Sequence, residues 1–327
     1  MRSHLWFALL FLTIPAFGLA HEEVMRVRET EDAVQIDTDL LQARVNKKGY
    51  VSGTAQASLL DRQTGARDVG FGLHIMDFLL APGWRDDDYG RDKALHGDLP
   101  KHYVEGPQIC TQARKLEPVI VRGKDFVAVK LRYRFHKPGK GYKAGSTGEQ
   151  TLFFQNGKRY FLSSEAITSV NEVDNLFYRI DMPGHVKHKN GDSFAQVYLS
   201  YHGTIPAKEF AKDFAPDDRF LYQRGKKVPR RMIRAYQLKR DGKPGPWIAG
   251  MTLDPAAVSE AWCHQRGYIC FIQELHGKPV KKGETFGAAY IVGYFDDIAD
   301  MEKTYDRYKG VTGIAVSQRG FELQRKP

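Results

Sequence analysis

Two polar segments carry most of the side chains in this sequence that could transfer a proton or hold an anion. The first, Trp84 to Gln108, mixes cations, histidine and tyrosine with glycine and proline, and has neither a strand-like nor a helix-like apolar period. We expect a long ordered loop there, and long loops inside compact domains are usually functional. The second, Asp181 to Asp192, is predicted to be a shorter loop of the same kind. Histidine and tyrosine can act as general acid or base, whereas lysine and arginine can neutralise an anion.

The histidines of these segments do not follow a known metal-binding spacing. His185 and His188 are three residues apart, but no HExxH pattern accompanies them. Asp86, Asp87 and Asp88 lack the alternate spacing and the glycine of a calcium loop. The sequence therefore assigns no metal ligand and requires no cofactor, and it leaves a divalent cation open.

The beginning of the chain is typical of an export signal. Arg2 precedes an apolar run from Leu5 to Leu19, and the small residue Ala20 follows. This pattern predicts a signal peptide over residues 1–20, with cleavage near Ala20. We therefore expect a secreted or periplasmic protein. No later segment is long and apolar enough to span a membrane. Residues 21–327 are expected to form one β-sandwich domain.

The formal net charge of the chain is +10. An exported basic protein attracts polyanions, although the same charge would also aid solubility alone. Lysine and arginine are spread along the whole chain and no nucleic-acid-binding motif is present, which argues against nucleic acid as the partner. The expected partner is an acidic polysaccharide or oligosaccharide.

Most of the remaining chain alternates strand signals with turn signals. Phe126 to Phe135 alternates apolar with basic residues, which is typical of an antiparallel sheet with one wet face. Asn156-Gly157 predicts a hairpin turn, and Val69 to Leu80 is predicted to form one or two buried strands with His74 as a packed core residue. Asp297 to Tyr308 has helical spacing. Together these signals predict an all-β fold, a large antiparallel two-layer β-sandwich or supersandwich, with one helix in the C-terminal region.

The three cysteines, Cys110, Cys263 and Cys270, allow at most one disulfide within the chain. A turn near Gly267 could bring Cys263 and Cys270 together, whereas on one continuous strand they would point to opposite faces. The sequence leaves this pairing open.

Residues Val34 to Gly65 resemble the opening of galactose-mutarotase-like β-sandwiches. They contain two strands, a glycine turn, and a strand that ends in the Asp-x-x-Thr-Gly turn Asp61 to Gly65. Lys282 to Phe286 is similar to the Gly-Glu turn before a late strand of the same superfold. The resemblance implies a sandwich whose concave face binds carbohydrate. Sugar epimerases, polysaccharide lyases and non-catalytic domains share this superfold, so the resemblance implies no single activity.

This resemblance, export and the positive charge together favour a carbohydrate-active enzyme. The most specific hypothesis is a polysaccharide lyase, a carbon–oxygen lyase that cleaves a uronate-containing acidic polysaccharide by β-elimination. The reaction needs a cation or metal to neutralise the carboxylate, a base to remove the proton alpha to it, and an acid for the leaving oxygen. Catalytic roles are predicted for His102, Tyr103, His188 and His264. Substrate-binding roles are predicted for Trp84, Arg91, Lys101, His185, Lys187, Tyr201, His202 and Arg266.

Two other functions fit the same sequence. A non-catalytic sandwich could bind acidic glycan through its basic strand face and through aromatic residues such as Trp84, Tyr142 and Trp247. A sugar epimerase or mutarotase would act on small sugars and would have no need of the positive charge. A lyase alone creates an unsaturated uronate that absorbs in the near ultraviolet.

Overall fold

Two large antiparallel sheets dominate the computed structural model, which describes residues 25–51, 53–85, 100–107, 109–112, 115–214, 219–225 and 227–325. Sheet I contains, in spatial order, β10 (Lys137–Pro138), β7 (Lys101–Gly106), β6 (Gly70–Pro82), β13 (Val173–Lys187), β20 (Tyr268–Val280), β19 (Val258–Gln265) and β16 (Tyr222–Gln223), and β4 (Thr54–Ala55) pairs with β6. Sheet II contains, in spatial order, β15 (Gly203–Pro206), β14 (Phe194–Leu199), β17 (Ile233–Arg240), β18 (Lys243–Thr252), β21 (Thr285–Phe295), β12 (Tyr160–Thr168), β11 (Thr147–Gln155), β9 (Phe126–Arg134) and β8 (Val119–Arg122). The predicted all-β sandwich is confirmed.

Smaller elements surround these two sheets. A third sheet consists of β1 (Arg26–Glu29), β2 (Ala33–Asp37), β3 (Leu41–Asn46) and β5 (Leu60–Asp61), and the chain ends in the hairpin of β22 (Val311–Ser317) and β23 (Gly320–Arg325). Within the described residues, the helices are α1 (Ile109–Gln112), α2 (Ile298–Tyr308) and two 3₁₀ turns, Ala207–Phe210 and Pro255–Ala257.

The main apolar core lies between the facing sides of sheets I and II. Ile180 and Val186 of β13 and Phe271 of β20 belong to it, together with Val127 and Val129 of β9. Because side chains alternate along a strand, the residues between these core positions point to the outer side of sheet I. That outer side carries the polar residues described below.

The core also encloses a polar pair. His74 is fully buried, and its Nε2 lies 3.1 Å from Oε1 of Glu165, whose other carboxylate oxygen accepts a hydrogen bond from Tyr290. The prediction that His74 is a packed core histidine is confirmed.

Helix α2 covers the outer side of sheet II. Met301 and Tyr305 are buried there against Trp247 and Met251. The carboxylate of Asp297 accepts a hydrogen bond from the backbone N–H of Asp300 at 2.7 Å and so caps the helix. The predicted C-terminal helix is confirmed, and its first residue is Ile298.

The predicted wet face of β9 is confirmed only in its second half. Arg132 and Arg134 are exposed, but Phe126 and Ala128 on the same face are buried beside Phe153 and beneath the hairpin β22–β23. Sheet II is therefore covered on both sides over much of its area.

Both predicted loops are strand in part, so those predictions were wrong there. β13 continues through Asp181 to Lys187, and Lys101 to Gly106 forms β7. Residues 86–99, with Arg91, lie outside the described residues. The sequence of β7 does not look like a buried strand because it contains the charged residues Lys101 and Glu105. Both are buried in the structure, and partners from distant parts of the chain compensate their charges.

The three cysteines are buried and free. Cys263 pairs in register with Phe271, and both point into the core, whereas Cys270 points to the outer side. The turn at Gly267 does not join Cys263 to Cys270, because these two side chains lie on opposite faces of sheet I.

No helix within the described residues is long and apolar enough to cross a membrane. The predicted signal peptide, residues 1–20, lies outside the described residues, and the single-domain assignment stays a prediction.

Candidate active site

Three adjacent strands of sheet I, β13, β20 and β19, set polar side chains in rows on its outer side. The pairing of these strands places residues side by side within each row. The rows, read from β13 to β19, are Arg179, Glu274 and Glu260; Asp181, Ile272 and Trp262; and His185, Cys270 and His264. Neighbouring side chains in such rows lie within contact distance of each other.

A buried ion network occupies the first row. Nζ of Lys101, which reaches across from β7, lies 2.7 Å from Oε2 of Glu260 and 2.7 Å from Oε2 of Glu274. Arg179 donates from Nη2 and Nε to Oε1 of Glu274 at 2.5 and 3.0 Å. All four side chains are at least nine-tenths buried, and their charges sum to zero. A charge network this deep is stable only if it stays balanced.

Trp262 lies beside both cations of this network. Its ring centroid is 5.9 Å from Nζ of Lys101 and 5.3 Å from the guanidinium carbon of Arg179. Cations in such positions are attracted by the ring face. The indole therefore helps to fix the two cations on the outer side of the sheet.

The two carboxyl groups of the network differ in acidity. Burial raises the pKa of Glu260, and the nearby charge of Glu274 adds to the rise although Lys101 opposes it. Burial acts in the same direction on Glu274, but Lys101 and Arg179 together outweigh it and hold the pKa of Glu274 below its usual value. Two neighbouring acids whose environments separate their pKa values are suited to act as acid and base.

Tyr103 lies on the same side of β7 as Lys101, two residues further along. It is half-buried, and its ring packs edge-on against Phe78 with the two ring centroids 4.7 Å apart. Its phenol group is close enough to Arg179 to interact with it electrostatically. A phenol thus stands at the β7 side of the ion network.

Asp181 of the second row joins His185 and Cys270 of the third row, which brings three different donor types together. Oδ1 of Asp181 lies 3.2 Å from Nε2 of His185, and these two groups and the thiol of Cys270 present donor atoms within 4.8 Å of one another. His264 lies opposite Cys270 on β19, and burial lowers the pKa of His264 to about 4. The neutral imidazole of His264 can accept a proton.

An irregularity in β13 explains why Asp181 and His185 meet. Asp181 pairs with Ile272 and His185 pairs with Cys270, so β13 advances four residues where β20 advances two. Four residues of a regular strand would span about 13 Å. The bulge shortens this span and turns both side chains to the same spot.

We call the side chains of the three rows, together with Lys101 and Tyr103, the outer-face cluster. Four of the predicted site residues, Lys101, Tyr103, His185 and His264, belong to it. Two predicted catalytic histidines do not. His102 points to the other side of β7, with Nδ1 2.8 Å from the carbonyl oxygen of Gly83 and Nε2 3.2 Å from the hydroxyl of Tyr142. His188 lies past the end of β13, with Nε2 2.8 Å from Oε1 of Gln265. The contacts of both imidazoles are of the kind that orders a loop.

The remaining predicted binding residues are scattered. Tyr201 and His202 lie at the β14–β15 turn of sheet II, and Arg266 is exposed at the β19–β20 turn. Lys187 lies at the end of β13, and its ammonium group sits over the ring of Phe71. Trp84 is half-buried just beyond β6. Arg91 lies outside the described residues. Their substrate-binding roles stay predictions.

The sequence prediction gave no role to Arg179, Asp181, Glu260, Trp262 and Glu274. Their signal is the alternate spacing Arg-x-Asp in β13, Glu-x-Trp-x-His in β19 and Cys-x-Ile-x-Glu in β20. Polar residues at every second position of an apolar strand indicate a polar face, but only the strand pairing shows that the three faces adjoin.

A groove of about 910 Å³ lies elsewhere, along β9, β11 and β12. Its basic lining residues are Lys115, Arg132, Arg134 and His136. Arg132 is largely exposed, although its Nε lies 2.7 Å from Glu149. This groove offers cations but none of the acid–base pairs of the outer-face cluster.

Comparison with known proteins gives likenesses of fold only. No protein-family model and no curated protein matches the sequence. A protein from Escherichia coli K12 named as an aldose 1-epimerase matches at a TM-score of 0.42 with 9% identity, over 84% of this chain and 99% of that one. A galactose 1-epimerase from Lactobacillus acidophilus NCFM matches at 0.37 with 11% identity, over 84% and 98%.

A polysaccharide lyase matches at a TM-score of 0.31 with 12% identity, over 85% of this chain but 35% of the lyase. The printed names of these structures, two epimerases and a polysaccharide lyase, are among the protein classes to which the sequence resemblance pointed. At such identities and TM-scores they assign neither an activity nor a site to this chain.

Proposed function

We propose that this protein is a carbohydrate-active enzyme that cleaves a uronate-containing acidic polysaccharide by β-elimination on the outer side of sheet I. One observation carries the proposal. Lys101, Arg179, Glu260, Tyr103 and His264 come from three strands to one face, and their types match the roles that β-elimination requires.

The uronate carboxylate must be neutralised before the neighbouring proton can leave. Lys101 supplies positive charge, and Glu260, whose pKa burial raises, is the carboxyl group of the network best suited to take up a proton when the anion binds. Arg179 holds Glu274 and keeps the network balanced. A proton taken up by Glu260 would offset the negative charge that the bound uronate adds to this balanced network.

Proton transfer falls to Tyr103 and His264, which stand on β7 and β19 at the two sides of the ion network. One group takes the proton alpha to the carboxylate, and that electron pair forms the new carbon–carbon double bond. The bond from the beta carbon to the glycosidic oxygen breaks, and the other group protonates that oxygen. Atoms and charge balance without an oxidant or water.

The test uses variants that keep the fold. Tyr103→Phe and His264→Gln should each lower the rate of near-ultraviolet absorbance increase by about 100-fold or more, because each removes a proton-transfer group. His276→Asn is a matched control, since His276 stacks on Phe286 toward the sandwich interior and asparagine tolerates its positive φ. Full activity in both Tyr103→Phe and His264→Gln would refute the assigned roles.

One observation favours a second candidate, a sugar epimerase or mutarotase. The separated pKa values of Glu260 and Glu274 suit proton exchange at the anomeric centre of a small sugar, where one acid and one base suffice. Acceleration of anomer interconversion by the wild type, lost in Glu260→Gln and without any new ultraviolet chromophore, would select this function.

The basic groove supports the third candidate, non-catalytic binding of acidic glycan. Arg132 and Arg134 lie side by side on it. Retention on an immobilised acidic polysaccharide that falls steeply with salt and with Arg134→Ala, in a protein that creates no chromophore, would favour binding alone.

A further inference from the structure

We infer that Asp181, His185 and Cys270 form a binding site for a divalent transition-metal ion of the zinc type. The site lies on the outer side of sheet I, beside the ion network. This inference does not depend on the proposed activity, because metal binding is measured directly.

The donor set selects the class of metal. A carboxylate oxygen, an imidazole nitrogen and a thiolate sulfur together suit zinc and similar ions, whereas magnesium and calcium take oxygen ligands. The donor atoms lie within 4.8 Å of one another. In a tetrahedral zinc site the donor atoms are about 3.4–3.8 Å apart, so side-chain shifts of about 1 Å would complete the geometry.

Buried polar atoms that lack a well-formed hydrogen bond provide a second observation. Asp181 is 2% exposed, and its Oδ1 makes no hydrogen bond of good geometry within the described residues, even though His185 is only 3.2 Å away. Nδ1 of His264, which is 5% exposed, also lacks a hydrogen-bond partner among the described residues. Buried polar atoms are rarely left unpaired, and a bound ion is one of the recognised explanations for such atoms.

The backbone holds the three ligands in place without the metal. The bulge in β13 brings Asp181 and His185 to one spot, and the regular pairing of His185 with Cys270 adds the thiol. Ligands fixed on strands of a packed sheet lose little conformational entropy on binding. The ion would displace the thiol proton of Cys270 to solvent.

The test is a titration of the chelator-treated, reduced protein with zinc and, in parallel, with cobalt. We expect one ion per chain, and with cobalt a thiolate-to-metal charge-transfer band in the near ultraviolet. Loss of a residue that merely orients a ligand weakens metal affinity by about 10–100-fold, so Cys270→Ser and His185→Ala, which remove ligands, should weaken it by at least about 100-fold.

Cys263→Ser is the matched control, because Cys263 lies on the opposite face of the adjacent strand and should leave affinity unchanged. The wild-type cobalt spectrum keeps the test decisive if a variant fails to fold. A spectrum without a thiolate band, no binding of either ion, or equal affinity in Cys270→Ser and wild type would each overturn the inference.

Discussion

Removal of the Lys101 ammonium is the perturbation for which the structure gives the clearest magnitude. Lys101→Met keeps most of the side-chain volume but leaves Glu260 and Glu274 to share the single charge of Arg179. Two charges 2.7 Å apart interact by about 6 kcal/mol at an effective dielectric constant of about 20. Part of this lost interaction energy is offset because the lysine no longer has to be desolvated. Removal of one partner of a buried ion pair typically lowers stability by about 3–5 kcal/mol.

We therefore expect Lys101→Met to lower the free energy of unfolding by about 3–5 kcal/mol at neutral pH. Glu260→Gln removes one negative charge from the same network, so in the Lys101→Met background it restores the balance of charge around Glu274 and Arg179. The double variant should lose less stability than the sum of the two single variants, with a coupling energy of about 1–3 kcal/mol.

The assay is urea unfolding followed by circular dichroism on the wild type, both single variants and the double variant. Lys48→Met is the matched control, because Lys48 pairs with Asp32 at an exposed site and its loss should leave the urea midpoint close to that of the wild type. If Lys101→Met is as stable as the control, or if the two changes simply add, the ion network does not hold charge in the way described.

Two further predictions concern stability. Burial raises the pKa of Asp68 to about 6 from an ordinary value of 3.8, even though three backbone N–H groups donate to it. The folded state therefore binds this proton more tightly, and the group removes about 3 kcal/mol of stability as pH rises between these values. Asp68→Asn should flatten that pH dependence in urea unfolding, and a pH-independent difference from the wild type would contradict it. Gly184→Ala places a Cβ 2.1 Å from the carbonyl oxygen of Gly72 at a φ of +151°. The substitution should therefore lower the free energy of unfolding by more than backbone strain alone, which costs about 1–3 kcal/mol. Gly203→Ala, with φ +116° and open space, is its control, and equal thermal shifts would refute the close approach.

The all-β fold could be predicted because local signals dominate it. The turn at Asn156-Gly157 and the alternation of β9 require only nearest neighbours along the chain, and the helical spacing of α2 is equally local. The extension of β13 could not be predicted, because proline and glycine in that segment normally end a strand. There the pairing with β6 and β20 on both sides overrides the local preference.

The candidate site was predictable only in part, for a related reason. Lys101, Tyr103, His185 and His264 were selected by residue type, which identifies chemistry but not proximity. His102 has the same type as His264, yet alternation along β7 turns it away from Lys101 and Tyr103. Arg179 and Glu274 are 95 residues apart and meet through strand pairing, which no local pattern reveals.

The most direct test of the proposed function is ultraviolet absorbance of the purified mature protein incubated with uronate-containing polysaccharides, with neutral polysaccharides as the control. The proposal predicts a steady absorbance increase with at least one acidic polymer, none with the neutral polymers, and loss of the increase in Tyr103→Phe. A flat trace across the acidic polymers, from protein shown to be folded by circular dichroism, would contradict β-elimination.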